Sequence, residues 1–185
     1  MSDTLFADLR PTICAKIKNH LPELRECEPH EGQYSLEDLK REGLLAPAVK
    51  VSCIAAKQTS TRSGGAPNYT LQMAAFVVTR DTTRPKMARD VSAANICQRL
   101  LGLIPENRWG LPACGEAQNV MMHSLRTVKV QSRGVSLWAV TWNQPMTFHV
   151  DSESPLGVEL YVGRFPETGA DHVEGYTSFA AGDEG

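Results

Sequence analysis

The sequence lacks most of the features that mark a membrane protein or a common enzyme. No apolar run approaches the roughly 20 residues that a transmembrane helix needs, and the N-terminus has neither the basic start nor the apolar centre of a signal peptide. Phosphate-cradling glycine motifs are missing, and so is the Gly-x-Ser-x-Gly pattern of a nucleophilic serine. With 42% hydrophobic and 22% charged residues, the composition is that of an ordinary globular protein. Because these motifs are missing, no cofactor is predicted.

Cysteine and histidine are too scattered to predict a metal site. Cys27 and His30 have one suitable spacing, but a structural zinc site needs four ligands and the sequence offers no second pair. We therefore predict no metal and no catalytic residue. A small cytoplasmic enzyme that uses Cys or His remains the alternative of a different class. The cysteines themselves are typical of free thiols in a reducing cytoplasm; they are Cys14, Cys27, Cys53, Cys97 and Cys114.

Net charge is small but unevenly distributed. The whole chain carries −2, which gives no bias toward nucleic acid. Residues 150–185 hold eight acidic residues and one basic residue, Arg164, so this segment carries −7 and residues 1–149 carry +5. We predict a domain over 1–149 and an acidic C-terminal extension over 150–185. The extension is expected to pack on the basic surface of an adjacent subunit.

The stretch Val135–His149 predicts one long strand at the centre of a sheet. Side chains alternate between the two faces of a strand. Nearly every residue at the start of this stretch is apolar or β-branched, so both faces are expected to be covered. Two of the three tryptophans, Trp138 and Trp142, lie here. Gly134 supplies the positive φ of the turn that precedes the strand.

Helices are predicted from apolar residues spaced three and four apart. Leu5, Leu9, Ile13, Ile17 and Leu21 form one such stripe, and Pro11 is expected either to kink that helix or to begin a second one. Ser35 to Gly43 is typical of a short capped helix. A third helix is predicted with Thr82 or Thr83 as its cap, Pro85 in its first turn and Pro105 after its end. Its core stripe is expected to be Met87, Val91, Ala94, Cys97, Leu101 and Ile104.

Three further strands complete an α+β domain. They are predicted over 47–56, 69–79 and 119–131, and the segment 23–34 is predicted to be irregular. The first two make a hairpin whose tip, 57–68, is polar and glycine-rich. The order of elements predicts an antiparallel sheet of about four strands with the helices packed on one face, plus the C-terminal extension.

Basic residues around that tip and the following helix start are candidates for a partner interface. A polar tip of this length carries function more often than packing. DNA is a weaker candidate partner, because no aromatic residues are interleaved with these basic residues and no recognition-helix motif is present. The candidate interface residues are Lys57, Arg62, Gly64, Gly65, Asn68, Arg80, Arg84, Lys86, Arg89 and Arg133.

The ordered set of motifs resembles the tail terminator (tail completion) proteins of Mu-like long-tailed phages, which are similar in plan to the lambda-type tail terminators. The set begins with a helix that ends in Leu21-Pro22, followed by the Ser35 helix and the strand from Pro47. It continues with the long hairpin, the segment Asn107-Arg-Trp-Gly-Leu-Pro112 and the strand 137–144, Leu-Trp-Ala-Val-Thr-Trp-Asn-Gln. The resemblance covers residues 3–149.

The resemblance implies a structural protein of the virion, with no catalysis and no cofactor. It implies a homohexameric ring that caps the head-proximal end of the tail tube, stops tube growth and joins the neck. The partners implied are the tail tube protein, a neck or head-completion protein and, in a contractile tail, the sheath protein. DNA passes through the ring without specific recognition, and no membrane is involved. Another phage neck or baseplate connector remains the nearest alternative.

Overall fold

The computed structural model describes residues 5–35, 38, 45–61, 67–83, 86–125, 127, 130, 134–148, 160–162 and 177–179. The chain divides into two units, Met1–His149 and Val150–Gly185. The second unit contributes the short strand pair β8 (Leu160–Val162) and β9 (Thr177–Phe179). No helix within the described ranges is long and apolar enough to span a membrane.

Among its described residues, the first unit has two complete helices and a five-stranded sheet, and Asp38 and Val130 are also helical. The helices are α1 (Leu5–His20) and α2 (Arg89–Leu103). The sheet strands are β1 (Glu26–Glu31), β2 (Ala48–Thr61), β3 (Pro67–Arg80), β6 (Gln118–Ser124) and β7 (Val135–Thr147). Two-residue strands β4 (Thr82–Thr83) and β5 (Lys86–Met87) pair with each other ahead of α2.

The α+β class is confirmed, but the sheet is mixed and has five strands in the order β1-β2-β3-β7-β6. The prediction of about four antiparallel strands missed β1, which pairs with β2 in parallel. Its sequence, Glu-Cys-Glu-Pro-His-Glu, gives no strand signal, because acidic residues and proline are depleted in strands. The strand 135–149 was predicted to be central, but the central strand is β3. Strand β7 lies next to it and is paired on both sides.

Helix α1 follows its predicted stripe. Leu9, Ile13, Ile17 and Leu21 are fully buried, and the helix continues through Pro11 without a second start. The phase predicted for α2 is wrong. Val91 is 53% exposed and Ala94 is exposed, whereas the residues that face the sheet are Ala93, Ile96, Cys97, Leu100 and Ile104.

The predicted cap of α2 is also wrong. Thr82 and Thr83 belong to β4, and the residue at the cap position, Ala88, makes no side-chain hydrogen bond. Asp81 caps the helix N-terminus instead, because its Oδ1 accepts the backbone N–H of Arg89 at 2.9 Å. A carboxylate at a helix N-terminus is favoured by the helix dipole.

The β2–β3 hairpin is longer than predicted and its tip is shorter. Pairing continues from Lys57↔Thr70 to Thr61↔Pro67, so Lys57 to Thr61 and Asn68 lie in strands and not in a loop. Residues 55–61 are exposed all along this distal half. Strand β2 is therefore uncovered along this half, whereas β3 stays paired with β7 and its Tyr69 packs on Phe148.

Several predictions fall partly or wholly outside the described residues. One is the body of the predicted helix 35–43. Its start is described, because Ser35 and Asp38 make the reciprocal hydrogen bonds of a helix N-terminus. Ser35 Oγ accepts the Asp38 N–H at 3.2 Å, and Asp38 Oδ2 accepts the Ser35 N–H at 2.8 Å. Strand β6 ends at Ser124, and the described residues Leu125, Thr127 and Val130 are not in a strand, so the predicted continuation to residue 131 is wrong. The placement of the acidic extension on a neighbouring subunit stays a prediction.

Candidate functional site

The candidate interface residues do not surround one tip. Lys57 lies in the distal half of the hairpin, whereas Arg80 ends β3 opposite Val135. Thr70, the partner of Lys57, is separated from Arg80 by a strand length of about 33 Å at 3.3 Å per residue. The expectation of a single basic cluster is therefore wrong. The candidates outside the described residues are Arg62, Gly64, Gly65, Arg84 and Arg133, and only the backbone of Lys86 is described.

Asn68 ties three strands together near the distal end of the hairpin. Its Oδ1 accepts from Thr147 Oγ1 at 2.7 Å, and its Nδ2 donates to Ser60 Oγ at 3.0 Å. Its backbone C=O also accepts from Thr59 Oγ1 at 3.2 Å. These bonds give Asn68 a structural role in stiffening the hairpin, and Lys57 stands exposed beside it on β2.

Arg80 and Arg89 lie at the opposite end of the sheet, where α2 begins. Arg80 is exposed, and Arg89 is half-buried with its Nη1 at 3.5 Å from Asp81 Oδ2. Thr79 Oγ1 donates to the backbone C=O of Arg89 at 2.7 Å, which fixes the start of the helix against β3. Arg89 thus serves local structure, and Arg80 remains the accessible basic residue at this end.

A buried glutamine joins the two segments that carry the resemblance. Gln144 in β7 is fully buried, and its Oε1 accepts the indole N–H groups of Trp109 at 2.7 Å and Trp142 at 3.0 Å. Its Nε2 donates to the backbone C=O of Gly115 at 2.6 Å and of Asn107 at 3.3 Å. All four hydrogen bonds that an amide side chain can make here are formed. We call Gln144 with these four partners the glutamine clasp.

The glutamine clasp holds the connector between α2 and β6 against the sheet. Asn107 Oδ1 accepts the backbone N–H of Trp109 at 2.7 Å, which supports Trp109 at a φ of 58°. The N–H of Gly115 donates to the C=O of Pro145 at 2.8 Å, and a Cβ on Gly115 would meet the Pro145 ring at 2.9 Å. Trp109 and Trp142 are each 1% exposed, so both are core residues.

Lys50 forms a second buried polar group, on the sheet face opposite α1 and α2. Its side chain is 5% exposed and contacts Glu26 Oε1 and Glu28 Oε2, the latter at 3.0 Å. Burial alone would lower the pKa of Lys50, but the hydrogen bonds and charges of the two glutamates hold it above its usual value. Burial likewise works to raise the pKa of Glu26, but Lys50 and the N–H of Leu45 bring it below 4.5.

The described cysteines do not have the environment of a nucleophile. A hydrogen bond with Cys27, and then burial, raises the pKa of the Cys14 thiol, and burial raises the pKa of Cys53. Burial also raises the pKa of Cys97 to about 12 and that of Cys114 to about 11. A thiol reacts as its thiolate, so these shifts oppose a catalytic role for these four thiols. The Cys/His enzyme alternative stays a prediction.

Cys27 and His30 cannot bind one metal ion together. They lie three positions apart in β1, so their side chains point to opposite faces of the sheet. Cys27 packs beside the core under the helices, whereas the His30 ring lies 5.0 Å from that of Tyr34 on the other face. Within the described part of the chain, no three His, Cys, Asp or Glu residues group as metal ligands do.

An apolar groove occupies the sheet face opposite α1 and α2. Its volume is about 850 Å³, and strand β6 forms one wall. The groove was not predicted, because the apolar alternation of β7 indicated that both faces of that strand are covered. Residues that line its floor and walls include Tyr34, Ile54, Phe76, Met121, Leu137 and Ala139.

The comparisons with known proteins leave the family open. No protein-family model matches the chain, and a search of the curated proteins finds no match.

Proposed function

We propose that the chain is a ring-forming structural subunit that caps the head-proximal end of a phage tail tube, stops its growth and presents the surface for joining to the neck. The ring is a homohexamer within the virion, and its partners are the tail tube protein and a neck protein. The work of such a protein is geometric fit between stacked rings, and no bond is made or broken.

The observation that carries the proposal is the glutamine clasp. It joins Asn107 and Trp109 of one motif to Trp142 and Gln144 of the other, so the two most distinctive segments of the resemblance form one structural unit. A network with every amide hydrogen bond satisfied specifies one arrangement of a core. The motifs therefore support a shared fold, and function follows from that fold by analogy.

The exposed hairpin supplies the second support. Residues 55–61 are exposed, and the distal strands are braced by Asn68 and Thr147. This braced hairpin, here called the arm, has an exposed outer strand that can contact a neighbouring ring while the body holds the ring together. Lys57, the described basic residue on this arm, is placed to meet an acidic partner surface.

The experiment measures native mass and tail joining for the wild-type chain and for a shortened hairpin. Thr61 and Pro67 are paired, so residues 62–66 can be replaced by a two-residue Asn-Gly turn without changing the strands. We expect the wild type to form particles of six subunits by light scattering. The shortened variant should keep that mass and fail to join tails to heads in a complementation assay.

Three outcomes have distinct meanings. A wild type that stays monomeric at high concentration and in the presence of tail tubes contradicts the ring. Six-subunit particles that leave the length of growing tubes unchanged contradict the capping role. Normal phage titre from the shortened hairpin contradicts the assignment of the arm alone.

A further inference from the structure

Strand β6 forms an exposed edge of the five-stranded sheet. Within the described residues, its inner side pairs with β7 and no strand pairs with its outer side. Met121 is 54% exposed and Met122 is 41% exposed, although they point to opposite faces. Residues 118–125 include no Asp, Glu, Lys or Arg. Natural edge strands are usually protected by charge, proline or irregular pairing.

The regular part of β6 presents its outward backbone groups at two residues. The N–H of Leu125 donates to the C=O of Leu137 at 3.0 Å. Met121 and His123 lie in the same phase of the antiparallel register, opposite Thr141 and Ala139. Hydrogen-bonded and non-bonded positions alternate along such a pair. The N–H and C=O groups of Met122 and Ser124 therefore point away from β7.

The opposite edge of the sheet, β1, is blocked. Pro29 interrupts it, and the C=O of His30 already accepts Arg10 Nη1 at 3.0 Å. Glu28 and Glu31 are largely exposed there, with side-chain exposures of 59% and 87%. Two copies of β1 side by side would bring like charges together.

The distal edge of β2 is also a poor pairing surface. Its register with β3 is irregular between Cys53 and Ala55 and again between Gln58 and Ser60. Lys57 adds a charge to the same stretch. Irregular pairing and lysine both discourage the addition of a strand. Of these three edges, β6 is the one that can accept a strand, and it is free of charge repulsion when it meets its own copy.

We propose that β6 is a docking edge for a second copy of this chain, with the two β6 strands antiparallel about a two-fold axis at His123. In this register Met122 pairs with Ser124 of the second copy through the outward backbone groups, and Met121 lies opposite Leu125. Both side-chain pairs are uncharged, and the two exposed methionines become covered. The two sheets join into one of ten strands.

This contact is separate from the proposed ring. A two-fold contact is isologous and closes after two copies, whereas a ring needs a head-to-tail contact that repeats. The β6 contact therefore leaves ring formation to other surfaces. Two rings that join through it contain twelve subunits, whereas one ring alone contains six, so the mass distinguishes the two contacts.

The test is a pair of cysteine variants in the full chain, oxidised under mild conditions. His123→Cys places two thiols directly opposite at a non-bonded antiparallel position, where Cα atoms are about 4.5 Å apart and a disulfide fits. Met122→Cys is the matched control, because its own copy lies diagonally at about 7–8 Å, too far for a disulfide. The wild type, with its five native thiols, is the background.

We expect His123→Cys to give a covalent dimer in non-reducing electrophoresis at least tenfold faster than Met122→Cys or the wild type. His123→Lys should abolish two-fold association in sedimentation, and Val91→Lys, at an exposed site on α2, should leave it intact. Absence of the His123→Cys dimer, or an equal rate for Met122→Cys, overturns the proposal. Six-subunit particles without this dimer would contradict the β6 contact and support the ring. The dimer without any ring would support the β6 contact and contradict the ring.

Discussion

The two faces of the sheet differ in how completely other parts of the chain cover them. The face under α1 and α2 is closed by side chains from both helices, and its buried polar group is the neutral glutamine clasp. The other face is covered in part by Tyr34 and Val130 and, among the described residues, keeps an open groove. Its buried charged residue is Lys50, which pairs with Glu26 and with the largely exposed Glu28.

The difference indicates where the protein is rigid and where it can accept a neighbour. On the helix-covered face, β3 contributes Leu71, Met73, Ala75 and Val77, each no more than 1% exposed. Close-packed interiors respond to a change of even one methylene group. The groove face has free volume beside Phe76 and Leu137, so additions there meet less resistance. A docking surface is therefore expected on the groove side and at its β6 wall.

The largest effect is expected from the glutamine clasp. Gln144→Leu keeps a similar side-chain volume but leaves two indole N–H groups and the C=O of Gly115 without their partner, whereas the C=O of Asn107 keeps the N–H of Ala117 at 3.2 Å. Each buried polar group left unsatisfied costs about 1–3 kcal/mol, so we expect the free energy of unfolding to fall by about 4 kcal/mol. Chemical denaturation followed by tryptophan fluorescence measures this, because Trp109 and Trp142 report the site directly.

The matched control is Gln72→Leu. Gln72 is exposed on β3, on the groove face. We expect its free energy of unfolding to change by less than about 0.5 kcal/mol, as is usual for surface sites. Equal effects of the two substitutions would show that the clasp adds nothing beyond its position in the sheet.

Sequence patterns predicted the apolar skeleton of this fold and missed what depends on distant partners. The sequence predicted the apolar stripe of α1, the buried parts of β2, β3 and β7, and the positive φ of Gly134. Each of these follows from local periodicity or local sterics. Strand β1 was not predicted, because its stability comes from pairing with β2 and from Lys50, against the preferences of its own residues. Tertiary contacts override weak strand propensity.

The candidate site was less predictable than the fold. Lys57 and Arg80 were grouped because they flank the same hairpin in sequence, but antiparallel strands carry them to opposite ends. The phase of α2 was missed because Val91 and Ala94 are apolar residues on its exposed side. The edge position of β6 could not be read from one strand alone, since it depends on the order of all five.

A matched pair of alanine substitutions separates the two faces with a smaller effect. Ala75 lies on the helix-covered face and is fully buried, whereas Ala139 lines the groove. Ala75→Leu should lower the free energy of unfolding by about 2 kcal/mol, because added methylene groups overpack a filled core. Ala139→Leu should cost less than about 0.5 kcal/mol, because its side chain can extend into the groove. Thermal or denaturant unfolding of both variants measures the difference. Equal losses would mean that the groove offers no room.

The smallest effect concerns the charged group and depends on pH. Because the pKa of Glu26 is lowered in the folded chain, its contribution to stability is present above the unfolded value near 4.5 and is lost as the pH falls through the folded value. Glu26→Gln should therefore reduce the free energy of unfolding by about 1.5 kcal/mol at pH 7, the usual contribution of a hydrogen bond to a charged group. The gap between wild type and variant should narrow as the pH falls below 4.5. Glu116→Gln is the control, since Glu116 is half exposed and lies 3.6 Å from an exposed Arg108; such surface pairs contribute little. A gap between wild type and Glu26→Gln that stays constant from pH 7 to pH 3 would show that Glu26 acts through packing and not through its charge.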